Sequence, residues 1–131
     1  MINYFSKYKF VFYLCNIFFL LEYLYPGSLL GCIIFNNCKI QPQLTADFII
    51  SANHFYSFLI LSIIGFFTYT KSNQIIFLSI YLIFLSLFLE IMHYVIPNRS
   101  FEFTDLFGNL AGAIPPIVLR FILKKNENFK N

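Results

Sequence analysis

The chain has 131 residues, of which 59% are hydrophobic and only 11% charged. A soluble domain carries about 25% charged residues, so this composition argues against a water-soluble globule, a disordered tail and a coiled coil. The net charge is +3, yet the nine Lys and Arg residues are too few and too scattered to form a nucleic-acid-binding stripe. What is left is an integral membrane protein, with residues 1–131 as a single domain.

Four apolar stretches follow one another along the chain. With interfacial flanks, they are expected as transmembrane helices over about residues 9–25, 54–70, 75–96 and 105–123. About 20 residues cross the hydrocarbon core, and a lipid-exposed span must satisfy its own backbone, so each is read as a helix. The shorter run Ser28 to Phe35 cannot span. It reads as a re-entrant or interfacial piece, or as loop packed on the bundle. The fold class is therefore an all-α bundle of four transmembrane helices.

Lys7, Lys9, Lys71, Arg120, Lys124, Lys125 and Lys130 fall on one side if the helices alternate, whereas only Lys39 and Arg99 fall on the other. The positive-inside rule then makes both termini cytoplasmic. Leu29-Leu30-Gly31-Cys32 weakly resembles a lipoprotein cleavage site, but Glu22, Pro26 and Gly27 separate it from the first apolar run. An uncleaved first helix is expected. Cys15 reads as a small packed hydrophobe, and Cys32 and Cys38 can pair if their loop faces an oxidising compartment.

This topology gathers the polar residues at one end. His54 opens the second span, Glu90 and His93 lie near the end of the third, and Asp105 and Asn109 open the fourth. Ionisable groups inside a span are costly and tend to face the bundle interior or a wet cavity. Glu90, His93 and Pro97 share one stripe by their spacing, as do Asp105, Asn109 and Gly112. Gly108 and Gly112 form a small-xxx-small pair that lets a neighbouring helix approach closely. Pro115-Pro116 is expected to kink or loosen the last helix. Thr104 or Asp105 can cap it, and Arg99 can form a bidentate pair with Glu90 or Asp105.

Two readings of Glu90, Arg99 and Asp105 stand side by side. One is an outward-facing site for an anionic or lipid-linked ligand; the other is an ion-pair network that locks the last two helices. His54 is a ligand contact or an interfacial hydrogen bonder, and Asn109 an interhelical hydrogen bonder. Tyr13, Tyr23, Tyr25, Tyr56, Tyr69 and Tyr94 read as interface anchors or packing, Glu22 as reaching the headgroups in preference to joining the outer polar cluster, and Ser62, Ser79 and Ser86 as helix hydrogen bonders. A metal reading of Glu90 with His93, and His54 as a third ligand, is the minor one, so neither a metal nor a cofactor is expected. No nucleophile elbow, phosphate loop or zinc-protease motif is present.

The string "HFYSFL" from His54, followed by "LEIMHYVIPNRSFEFTDLFGNLAGAI" from Leu89, resembles the VanZ-like family of small bacterial membrane proteins. The matching positions are His54, Phe55, Glu90, Arg99, Asp105, Asn109 and Gly112, over about residues 47–122. The family often has Asp-Lys shortly before the histidine and glutamine where His93 stands; this chain has neither. The resemblance implies a four-helix protein of the bacterial cytoplasmic membrane with an envelope role. In the family's named member that role is low-level resistance to teicoplanin. The expected partners are the bilayer and a lipid-linked envelope precursor or envelope-assembly proteins, and not nucleic acid. No reaction is implied. The alternatives are a membrane enzyme acting on a phosphate-bearing lipid or lipid-linked glycan, and a structural subunit of a transporter or polysaccharide assembly.

Overall fold

A computed structural model describes residues 4–129. Five helices follow in order: α1 Tyr4–Leu24, α2 Leu29–Phe35, α3 Ala52–Thr68, α4 Ser72–Met92 and α5 Phe103–Phe129, with no strand among the described residues. Two of them, over Asn73–Met92 and Phe103–Asn126, are long and apolar enough to cross a membrane. The bent pair Lys9–Leu24 and Leu29–Phe35 would make a third if it counts as one span. Ala52–Thr68 has 17 residues, which at about 1.5 Å per residue is a rise of roughly 26 Å, the lower limit for a span.

The expected non-spanning run Ser28–Phe35 contains a short helix set at 89° to α1. Gly27 makes the corner with φ +101°, and a Cβ there would sit 2.6 Å from the Cys38 carbonyl oxygen, so both conformation and space require glycine. Ser28 Oγ caps α2 by accepting the Gly31 N–H at 3.0 Å, and Asn36 ends it in a left-handed turn. Cys32 and Cys38 form a disulfide across this turn.

The packing follows from where the chain places large and small side chains. Leu78, Leu82, Leu85 and Leu89 recur along one buried stripe of α4. They meet Phe12, Phe19 and Tyr23 of α1 and Phe58, Leu61 and Phe66 of α3. Helix α5 brings small residues to the interior instead. Gly108 and Gly112 lie against the backbone of α3, where a Cβ on Gly108 would come within 2.7 Å of the Ser51 carbonyl oxygen. One on Gly112 would strike the Phe55 carbonyl oxygen. Helix α3 touches α1, α4 and α5, while the backbones of α1 and α5 do not meet. Pro115 and Pro116 lie within α5, and the helix runs on past them to Phe129.

The outside is apolar. Ile17 and Leu21 on α1, Phe77 and Phe84 on α4, and Val118 and Ile122 on α5 are all exposed, whereas His54, Glu90, His93 and Asn109 are buried. This distribution suits hydrocarbon as the surrounding solvent. Replacing Gly112 with leucine should lower the thermal unfolding midpoint in detergent, by an equivalent of about 1–3 kcal/mol, because the α3 backbone cannot yield. Ile114→Leu on the exposed face of the same helix should leave it unchanged.

Candidate functional site

The C-terminal ends of α1 and α4 and the N-terminal ends of α3 and α5 meet at one end of the bundle. The side chains that converge there are Tyr23 from α1, His54 from α3, Glu90 from α4 and Asp105 and Asn109 from α5, with His93 at the α4 C-cap.

Asn109 is the hub. Its Nδ2 donates to the Ser86 carbonyl at 3.3 Å. A carbonyl only accepts, so the amide orientation is fixed and Oδ1 must face the other way. That oxygen accepts from the Tyr23 hydroxyl at 2.8 Å and lies 3.0 Å from His54 Nδ1. His54 Nδ1 therefore carries a proton. Its Nε2 lies 3.3 Å from Asp105 Oδ2.

His93 is held the same way. Its Nε2 lies 3.1 Å from the Tyr23 carbonyl oxygen and must donate to it. Its Nδ1 then faces Glu90 Oε2 at 3.4 Å. Glu90 Oε1 accepts the Glu102 N–H at 2.9 Å, one residue before α5 begins. Oε2 is fully buried, 4.0 Å from His54 Nδ1, and has no hydrogen bond of sound geometry. His54, Glu90 and Asp105 each offer one ligating atom, and these atoms lie within 4.8 Å of one another. They are the residues that could hold a metal ion.

Arg99 does not make the carboxylate pair expected of it. Its Nε and Nη2 donate to the carbonyls of Tyr25 and Glu22, at 3.3 and 2.9 Å. These carbonyls sit at the C-terminal end of α1, where a cation also meets the negative end of the helix. The partners of the carboxylates are instead the two histidines. Asp105 and Thr104 are not caps either, because α5 starts at Phe103 and both lie within its first turn.

Other assignments shift as well. Of the two readings of Tyr23, anchor or packing, burial within the cluster fits packing. Ser62 Oγ is buried without a hydrogen-bond partner, whereas the Ser79 and Ser86 hydroxyls bond to Ile75 and Ile83 carbonyls one turn earlier. Asp47 Oδ1 accepts the Ala52 N–H at 2.8 Å and so caps α3 from outside the helix. Tyr23 lies four residues after Phe19 and eleven after Phe12, and that spacing alone marks it as inward-facing.

Beside the cluster, between α1 and α3, is a cavity of about 440 Å³. Glu22, Asn53, His54 and Arg99 line it at the polar end; Cys15, Phe18, Ile60 and Ile64 line it deeper along the helices. Glu22 thus turns to the cavity, and its Oε1 is buried without a hydrogen bond. Residues Gln41–Leu44 also line the cavity. Asn53 fastens them, accepting from the Leu44 N–H at 3.2 Å and donating to the Pro42 carbonyl at 2.7 Å.

Comparison with protein-family models, curated proteins and solved structures returns no match.

The cluster's bonds make Asn109 the most sensitive position. Asn109→Leu keeps the branched shape and heavy-atom count but strands the Tyr23 hydroxyl and the His54 N–H. Its expected cost is about 1–3 kcal/mol for each buried donor left alone. Thermal unfolding in nanodiscs should show a larger loss for Asn109→Leu than for Tyr23→Phe, which removes one donor cleanly.

Proposed function

We propose that this chain is a multi-pass envelope membrane protein that binds one phosphate-bearing lipid or lipid-linked precursor between α1 and α3. The observation that carries this reading is the gradient along the cavity, from Glu22, Asn53, His54 and Arg99 to Cys15, Phe18, Ile60 and Ile64. A lipid has the same gradient, a polar head followed by a hydrocarbon chain. The volume of about 440 Å³ is of the size that holds a small ligand or part of a larger one. Arg99 supplies the cation for a phosphate, since its guanidinium has more donors than the two carbonyls use.

In this reading the polar end faces outward. The basic residues Lys9, Lys71, Arg120, Lys124 and Lys125 belong to the opposite end, in agreement with the positive-inside rule. The Cys32–Cys38 disulfide is at home on an oxidising side. Four helices then span, with α3 as the shortest. The positions shared with the VanZ-like family, His54, Glu90, Arg99, Asp105, Asn109 and Gly112 among them, fall at this same end. Altered teicoplanin sensitivity is the narrower form of the proposal, because shielding a lipid-linked wall precursor would change a glycopeptide's access to it.

Filling the cavity tests the binding. Ser57 lines it, and Ser57→Phe should weaken capture of a polyisoprenyl phosphate by the nanodisc-embedded protein about tenfold, equivalent to ~1.4 kcal/mol. Phe77→Leu on the exposed side of α4 should leave capture as it was. Unchanged capture by a folded Ser57→Phe protein would sink the reading.

Orientation has its own test. In intact cells, a membrane-impermeant reductant followed by an impermeant maleimide should label Cys32 and Cys38. Labelling that requires permeabilised cells would reverse the topology.

A further inference from the structure

We infer that His54, Glu90 and Asp105 form a binding site for a single divalent transition-metal ion. This goes beyond the lipid reading and does not depend on what fills the cavity.

The first support is an imbalance of donors and acceptors. Asn109 fixes the proton of His54 on Nδ1, so a neutral His54 presents the lone pair of Nε2 to Asp105 Oδ2 at 3.3 Å. A carboxylate also only accepts. Two acceptors facing each other inside a bundle require a cation between them or an added proton. Glu90 brings a second carboxylate to the same histidine, with Oε2 fully buried 4.0 Å from Nδ1 and 3.4 Å from His93 Nδ1, and no hydrogen bond of sound geometry. Two carboxylates meeting at one imidazole crowd acceptor oxygens into a low-dielectric interior, which a divalent ion would satisfy.

The second support is distance. A first-row ion binds nitrogen and oxygen at about 2.0–2.2 Å, which puts neighbouring ligand atoms of a tetrahedral set roughly 3.4 Å apart. His54 Nε2 and Asp105 Oδ2 are already at 3.3 Å. His54, Glu90 and Asp105 can each offer one ligand atom within 4.8 Å of the other two, so a single ion is within reach of all three residues.

The third support is the surrounding shell. A ligating histidine ordinarily gives its other N–H to a fixed acceptor. Here that acceptor is Asn109 Oδ1, itself anchored by Tyr23 and the Ser86 carbonyl. Glu90 is oriented by the Glu102 N–H on Oε1, which leaves Oε2 for the ion. Asp105 retains 20% of its side-chain exposure, and this is the way in. One imidazole and two carboxylates suit Zn²⁺, Co²⁺ or Mn²⁺ and leave a coordination position open.

The test uses untagged full-length protein in nanodiscs, stripped with chelator and titrated with Co²⁺ and then Zn²⁺. One ion per chain should bind, with cobalt ligand-field absorption in the visible that Zn²⁺ displaces. Zinc-edge X-ray absorption should show one imidazole among the ligands; the chain has only two histidines. Asp105→Asn and Glu90→Gln should each weaken binding about tenfold or more, while Glu102→Gln should not. Unfolding curves establish which variants are folded, and if neither folds, the wild-type stoichiometry and absorption spectrum decide. Absence of a stoichiometric ion would overturn the inference, and so would a zinc spectrum without imidazole. Undiminished affinity in a folded Asp105→Asn or Glu90→Gln protein would overturn it too. Any of these would leave protons, not a metal, to balance the cluster.

Discussion

The amide of Asn109 is the group on which the polar end of this protein depends. One side chain from α5 joins α4 through the Ser86 carbonyl, α1 through the Tyr23 hydroxyl and α3 through His54. Four helices are thereby tied at one buried point. Hydrocarbon offers no water to replace a lost partner, so each of these bonds carries the desolvation cost of its alternative. The same amide also decides chemistry, because it fixes which nitrogen of His54 is protonated.

That hub can exist only because α5 lies close to α3. Gly108 and Gly112 let the two backbones approach, and Asn109 sits between them in sequence on the same side of the helix. A larger residue at either glycine would hold α5 away and carry Asn109 out of reach of His54. Close packing and polar recognition are therefore one constraint on this segment. The bulky leucine stripe of α4 fills the remaining interior, so small residues are needed only where α5 meets α3.

Much of this was legible in the sequence, for identifiable reasons. Hydrophobic run lengths gave helices close to those observed, because spans in lipid have a fixed length to meet. Alternating the helices was enough to bring His54, Glu90, His93, Asp105 and Asn109 to one end. The partners within that end were not legible. Charge pairing assigned Arg99 to a carboxylate, but backbone carbonyls at the end of α1 claim it, and only folding reveals where a helix end stops. Asp47 lies in a loop with no periodicity, so its bond to the Ala52 N–H left no sequence pattern. For Tyr23 the tyrosine-rich span ends leave both anchoring and packing open, and its spacing from Phe12 and Phe19 speaks for burial.

His54 belongs to two environments at once. One edge of the ring meets Asn109 and Asp105 in the interior, and the residue also lines the cavity beside α1. Whatever balances the charge of Asp105 and Glu90 therefore bears on the polar end of the cavity through a single imidazole. Arg99 stands at that same end, held by the α1 carbonyls and not by the carboxylates. Had Arg99 paired with Asp105, the cavity would have lost its fixed cation and the carboxylates their need for another. Anchoring the guanidinium on carbonyl oxygens, which are not charged, holds it beside Glu22 at the polar end of the cavity. It also leaves the His54, Glu90 and Asp105 cluster to find its own counter-charge. The separation of Arg99, on the cavity wall, from the His54, Glu90 and Asp105 cluster behind it follows from that one choice of partner.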